Sequence, residues 1–145
     1  MRVLVQRCDE ASVTVDNKIV GRIEKGVMLL VGFTHDDNSS NIDYLVDKVI
    51  NLRIFDDENG IMNKSLLDIG GSVLSVSQFT LYADSSKGRR PSYSNALSGD
   101  KAISLYEEFN QKLRLKNIHV ENGIFGAEMK VSLINDGPIT IMLEK

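Results

Sequence analysis

Gly71-Ser72-Val73-Leu74-Ser75-Val76-Ser77-Gln78-Phe79-Thr80-Leu81 carries the strongest strand signal in the chain. Val73, Val76 and Phe79 are good strand formers, and Gly70-Gly71 punctuates the start. Small polar side chains collect at the far end: Ser77, Gln78 and Thr80. Residues Ala83 to Ser98 follow with almost no apolar periodicity, and they carry Lys87, Arg89 and Arg90. A connection that long inside a compact domain is usually functional or disordered. The junction of a polar strand end with a basic loop is therefore the first candidate site. On this pattern alone, an ordinary strand leading into a solvated loop explains it equally well.

Working outward, the N-terminal third reads as a β-meander. Arg2 to Arg7 and Ala11 to Val15 are strands, Asp16-Asn17 a turn, and Lys18 to Ile23 the return strand of a hairpin. Gly26 to Phe33 is almost continuously apolar, as a buried strand is. Ser40 with Asp43 resembles a helix-capping box, and Ile42, Leu45, Val46, Val49 and Ile50 follow at helical spacing. Asp56 to Gly60 is a turn whose Asn59-Gly60 is a hairpin signal, while Met62 to Ile69 is ambiguous.

Beyond the basic loop, Ser98 is positioned to cap a second helix, with Ala102, Leu105, Tyr106, Phe109 and Leu113 on one face. Lys112, Arg114 and Lys116 fall in its last turns and suit the negative end of its dipole better than RNA. Ile118 to Glu121, Ala127 to Ile134 and Ile139 to Leu143 read as strands, separated by turns at Asn122-Gly123 and Asn135-Asp136-Gly137-Pro138. Without a βαβ rhythm or a Gly-rich phosphate loop, the expected fold is α+β. It is mainly an antiparallel β-barrel with two helices packed outside, in one domain spanning residues 1–145.

Composition narrows the function. The 145 residues are 42% hydrophobic and 26% charged, ordinary values for a soluble globule. The net charge of −3 means that any nucleic-acid partner must meet a local basic patch. The single Cys8 excludes an internal disulfide framework and fits a reducing cytoplasm. The apolar part of Met1 to Arg7 is too short for a signal peptide, and no stretch approaches the ~18 apolar residues of a membrane span, so no membrane partner is expected.

The usual catalytic constellations fail. His35 and His119 sit in no recognisable motif, and Cys8 has no basic partner in sequence. One Cys and two distant His make no usual zinc site, and the acidic run Asp56-Asp57-Glu58 lacks the register of a calcium loop. No metal and no cofactor are expected. An enzyme built this way must rely on backbone donors, bound water or a group on its substrate.

Two motifs then point to a family. Ser77-Gln78-Phe79-Thr80-Leu81, taken with Asn135-Asp136-Gly137-Pro138-Ile139-Thr140, resembles the D-aminoacyl-tRNA deacylases. Further pieces match in order: Gln6-Arg7, Ala11 to Val15, Arg53-Ile54-Phe55, Met62-Asn63, Gly88 to Ser92 and Gly123 to Ala127. Asn122 and Tyr93 depart from the commoner Thr and Phe, outside the two signature motifs.

The resemblance implies a cytoplasmic homodimer of β-barrel subunits that hydrolyses the ester between a D-amino acid and the 3′ end of tRNA. It implies a catalytic pocket formed by Ser77, Gln78, Phe79 and Thr80. It further implies a cis Gly137-Pro138 that enters the partner subunit's pocket and rejects L-aminoacyl groups. Lys87, Arg89 and Arg90 are then the candidate tRNA contacts. Two other readings stay open at this point. One is a non-catalytic tRNA- or protein-binding module of the same fold. The other is a metal-dependent esterase, which activity surviving exhaustive chelation would remove.

Overall fold

The computed structural model describes residues 1–145. The strands are β1 (Arg2–Val15), β2 (Lys18–Ile23), β3 (Gly26–Gly32), β4 (Phe55–Asp56), β5 (Met62–Lys64), β6 (Ser72–Ser77), β7 (Val120–Asn122) and β8 (Lys130–Glu144). The helices are α1 (Ser39–Asn51), α2 (Leu66–Ile69) and α3 (Gly99–Leu115), with a 3-10 turn at Phe79–Tyr82.

One long strand organises the sheet. The expected strands Arg2 to Arg7 and Ala11 to Val15 are a single β1. Its first half pairs with β3 and its second half with β2, both antiparallel. β8 runs antiparallel along the other edge of β1 for nearly its whole length. The hairpin turn falls at Asp16 and Asn17, both with positive φ, as a two-residue primed turn requires.

The sheet is mixed: the three pairings made by β1 are antiparallel, as expected, and two further pairings are parallel. β6 pairs with β3 in parallel and β7 pairs with β6 in parallel. Such pairs need crossovers, and α1 and α3 lie within the connections from β3 to β6 and from β6 to β7. The βαβ rhythm is present after all, masked by the β4–β5 hairpin, by α2 and by the basic loop. β2 and β7 nearly close the barrel: a Cβ built on Gly21 would lie 3.1 Å from the Asn122 carbonyl oxygen.

Two apolar cores follow from this arrangement. Val3, Val5, Val27, Leu29, Val31 and Val73 face α1 and α3, meeting Ile42, Leu45, Val49, Phe109 and Leu113. Met28, Leu74 and Val76 point to the opposite face and pack with Cys8, Ala11, Val13 and Ile23 inside the barrel. β3 and β6 are thus buried on both faces; β3 is accordingly a nearly unbroken apolar run, while β6 buries Ser75 among Val73, Leu74 and Val76.

The helix ends differ in detail from expectation. Asn38, not Ser40, caps α1, and its partner in the capping box is Asn41. Ser98 occupies the N-cap position of α3 but makes no side-chain capping bond. The ambiguous stretch resolves into β5 and the single turn α2, capped by Ser65 with Asp68, so there are three helices where two were expected. The acidic run is a turn: the Asp57 carboxylate accepts the N–H groups of Asn59 (2.9 Å) and Ile61 (3.1 Å), which hold its pKa below the ordinary range. Lys112 joins α3 to α1 through Asp43 (2.5 Å) and the Ser39 hydroxyl (2.7 Å). Arg114 donates to Asn122 Oδ1 (2.7 Å). Both cations are committed to partners within the chain.

Candidate active site

The strand that opened the reading ends earlier than its sequence suggests. β6 stops at Ser77, Gln78 leaves the extended region, and Phe79–Tyr82 coil into the 3-10 turn. Gln78 N–H still donates to the Val31 carbonyl (2.7 Å), so the turn departs from a fixed point on β3. Arg2 holds its far end, donating to the Leu81 carbonyl (2.8 Å) and stacking 4.5 Å over the Tyr82 ring. On the β3 side, a Cβ built on Gly32 would lie 2.8 Å from the Gln78 carbonyl oxygen and 3.2 Å from Leu81 Cβ. Only the missing side chain lets the turn sit so close.

A cavity of about 320 Å³ opens between this turn, the end of β3, the Phe125–Ala127 segment and the start of β8. Ser77, Gln78 and Phe79 line it, together with Gly32, Phe33, Phe125 and Met129. None of its fourteen lining residues carries an ionisable side chain. Thr80 is adjacent on the turn but outside the lining. Its hydroxyl accepts from Gln78 Nε2 at 2.5 Å and has no basic partner. His35 bonds the Ser94 carbonyl (2.8 Å), and His119 sits 3.3 Å from Glu121, so neither imidazole serves the cavity. Cys8 is buried in the barrel, and that burial pushes its thiol up to about 11, where it is not a nucleophile near neutral pH.

Gly137 and Pro138 do not line this cavity. Between the rungs Gln6–Thr140 and Cys8–Asn135, β1 contributes only Arg7, whereas β8 contributes Asp136, Gly137, Pro138 and Ile139. The Gly137-Pro138 peptide is cis and belongs to this excursion. Thr140 Oγ1 closes the base, accepting from Asn135 Nδ2 (2.9 Å). Arg7 lies beneath, only 6% exposed, donating to the Ile54 carbonyl (2.7 Å). Its Nε is 2.8 Å from Asp136 Oδ2, an ion pair whose N–H does not point squarely at the oxygen. The strand pattern contained a signal for Arg7, which alternates in phase with the buried Val3 and Val5.

Lys87, Arg89 and Arg90 are exposed on the loop and also lie outside the lining. Gly32, Phe33 and Met129 line the cavity without any local sequence signal that marks them for it. Phe125 and Gly126 belong to the Gly123 to Ala127 motif, to which the family resemblance attaches no role.

Comparison with known proteins resolves what this arrangement belongs to. The family model described as D-Tyr-tRNA(Tyr) deacylase matches residues 4–144. The chain belongs to this family. A D-aminoacyl-tRNA deacylase from Bacillus velezensis is 57% identical over 144 residues, covering 99% of this chain and 98% of the relative. One from Thermus aquaticus is 54% identical, covering 99% and 95%. Among solved structures, one described as c-Myc DNA Unwinding Element Binding Protein aligns with a TM-score of 0.94 at 38% identity, covering 100% of this chain and 99% of that one. A probable eukaryotic D-amino acid tRNA deacylase aligns at 0.84 with 22% identity, covering 98% and 97%, a likeness of fold. Membership in a deacylase family makes the chain a hydrolase. No helix of this deacylase-family chain is long and apolar enough to cross a membrane.

Proposed function

We propose that the chain hydrolyses the ester joining a D-amino acid to the terminal adenosine of tRNA, releasing free tRNA and the D-amino acid. The observation that carries this reading is the cavity without ionisable side chains beside a turn of backbone donors. The first N–H groups of a 3-10 turn, here those of Phe79 and Thr80, have no partner within the turn. They are suited to the oxyanion that forms when water attacks the ester carbonyl. The bond from the carbonyl carbon to the 3′ oxygen then breaks, and that oxygen takes up a proton. With no protein acid or base at hand, the neighbouring 2′-OH of the ribose is the group that relays it. Thr80 positions Gln78 and is not the nucleophile, because an unactivated hydroxyl is a poor one.

The chain acts as a cytoplasmic homodimer in which Gly137-Pro138 of each subunit enters the other's cavity. The separation of this motif from the cavity within one chain supports that arrangement. Backbone atoms of the motif occupy the direction in which an L-residue projects its Cβ, so selectivity is steric exclusion. Exclusion asks nothing of the side chain that remains. Glycine, which has no Cβ, is therefore also a substrate.

Single-turnover deacylation of D-alanyl-, glycyl- and L-alanyl-tRNA at equal enzyme concentration tests the reading. The first two are expected to be cleaved and the third to survive. Refusal of both glycyl and L-alanyl substrates with D-alanyl accepted would mean that the D side chain is read positively, against this account.

A further inference from the structure

Phe79 on the cavity wall and Tyr93 packed against it keep much of their surface in solvent. Phe79 is 52% exposed and Tyr93 is 42% exposed, whereas Phe33, Phe55 and Phe109 are buried. The two rings meet edge to face, with centroids 5.1 Å apart at 68°. Their backbones are held: Phe79 by the 3-10 turn, and the Tyr93 segment by several bonds. Ser92 exchanges two bonds of 2.8 Å with Asp84, and the Ser94 and Asn95 carbonyls accept from His35 and the Thr34 hydroxyl. The rings thus project from fixed points, a surface organised before any ligand arrives.

Lys87, Arg89 and Arg90 share this loop, and none makes an ion pair or a side-chain hydrogen bond. Three unpaired cations on the loop that carries an exposed aromatic, in a chain of net charge −3, match the chemistry of unpaired nucleic acid. The aromatics stack bases while the cations meet phosphates. Phe79 also lines the cavity, whereas Tyr93 lies outside it.

We infer that the Phe79–Tyr93 pair is a stacking platform for the unpaired base preceding the terminal adenosine of tRNA, with Tyr93 as the residue that receives it. The inference rests on the deacylase reading and adds a nucleotide subsite outside the cavity. Stacking reads a π-face and not a base edge, so the platform serves any tRNA with a single-stranded 3′ end.

Three esters of one D-amino acid separate the contributions: on adenosine alone, on cytidylyl-adenosine, and on the same dinucleotide with the cytosine removed. The intact dinucleotide is expected to exceed adenosine in kcat/KM by about tenfold or more, the abasic one by much less. Tyr93→Ala is expected to abolish the gain from the base, and Tyr93→Trp to retain it. A gain that persists in Tyr93→Ala, or that the abasic substrate shows in full, overturns the platform in favour of phosphate contact.

A second readout does not need turnover. The amide-linked tRNA analogue carrying 2-aminopurine at the penultimate position is expected to change its emission on binding the intact protein and not Tyr93→Ala. Sedimentation of Tyr93→Ala checks the competing occupant, a second copy of this chain. Conversion to monomer with the base-dependent gain unchanged would assign the rings to an interface. If no ester is cleaved at all, the deacylase reading falls, and the fluorescence still decides the platform.

Discussion

Gly32→Ala tests whether the seat of the 3-10 turn sets the rate. Gly32 is buried, and its φ lies outside the left-handed region, so alanine meets no backbone objection there. Its new methyl group would meet the Gln78 carbonyl oxygen at 2.8 Å and Leu81 Cβ at 3.2 Å, one contact well inside the usual limit and one at its edge. Both belong to the turn, and β3 is clamped by β1 and β6, so the turn is the part that yields. Relief takes a shift of about half an ångström, and overpacking of this kind costs ~1–3 kcal/mol in stability. Misplacement on this scale at a reacting centre lowers kcat by roughly ten- to a hundredfold.

The control is Gly70→Ala, at φ +61 with nothing within 4 Å of the added Cβ. It forfeits about 1–2 kcal/mol through left-handed backbone alone. Thermal unfolding and single-turnover deacylation of D-aminoacyl-tRNA are measured on both variants. Equal losses of stability with kcat falling only in Gly32→Ala are expected. An unchanged kcat in Gly32→Ala, with its stability reduced, refutes the idea that the position of the turn governs catalysis.

Thr80→Ala is expected to keep most deacylase activity, since no base contacts its hydroxyl; a fall in kcat of ~10⁴-fold with binding intact would restore it as nucleophile. D-aminoacyl-tRNA ending in 2′-deoxyadenosine, with the ester on the 3′ oxygen, should bind normally and hydrolyse far more slowly. Equal rates would return the proton relay to the protein. Replacing Arg89 and Arg90 by Ala should weaken tRNA binding and reduce the slope of log K against log salt by up to ~1 per lost phosphate contact. An unaltered slope removes the loop from the phosphate path.

The parts of the fold that were readable in advance owe it to burial and turn chemistry. β3 and α1 announce themselves because β3 is apolar throughout and α1 buries one face against the sheet. The primed turn at Asp16-Asn17 is legible from residues that tolerate positive φ. The 3-10 turn was not, because Phe79 and Leu81 continue a strand-like alternation. What bends the chain there is tertiary: the Arg2 bond to Leu81 and the vacant side of Gly32. The parallel pairings were hidden for a similar reason, since the inserted hairpin and loop disguise the crossovers.

In β8 the turn at Asn135 to Pro138 was visible, but not the fact that both flanking segments pair with one continuous partner. At the site, Ser77, Gln78 and Phe79 were found through a motif, and the structure brings them to one wall of a cavity. Gly137, Pro138 and the three loop cations stand elsewhere on the same chain.

The excursion in β8 has a consequence for how such a protein can vary. Asn135 and Thr140 pair with β1 on either side of Asp136–Ile139, so each half of the strand is registered by its own rungs. The four residues between them behave as a cassette set into a closed seam. Changes in its composition leave the ladder on both sides to be specified by other residues. The projection and the seam that carries it can therefore be altered separately along a single strand.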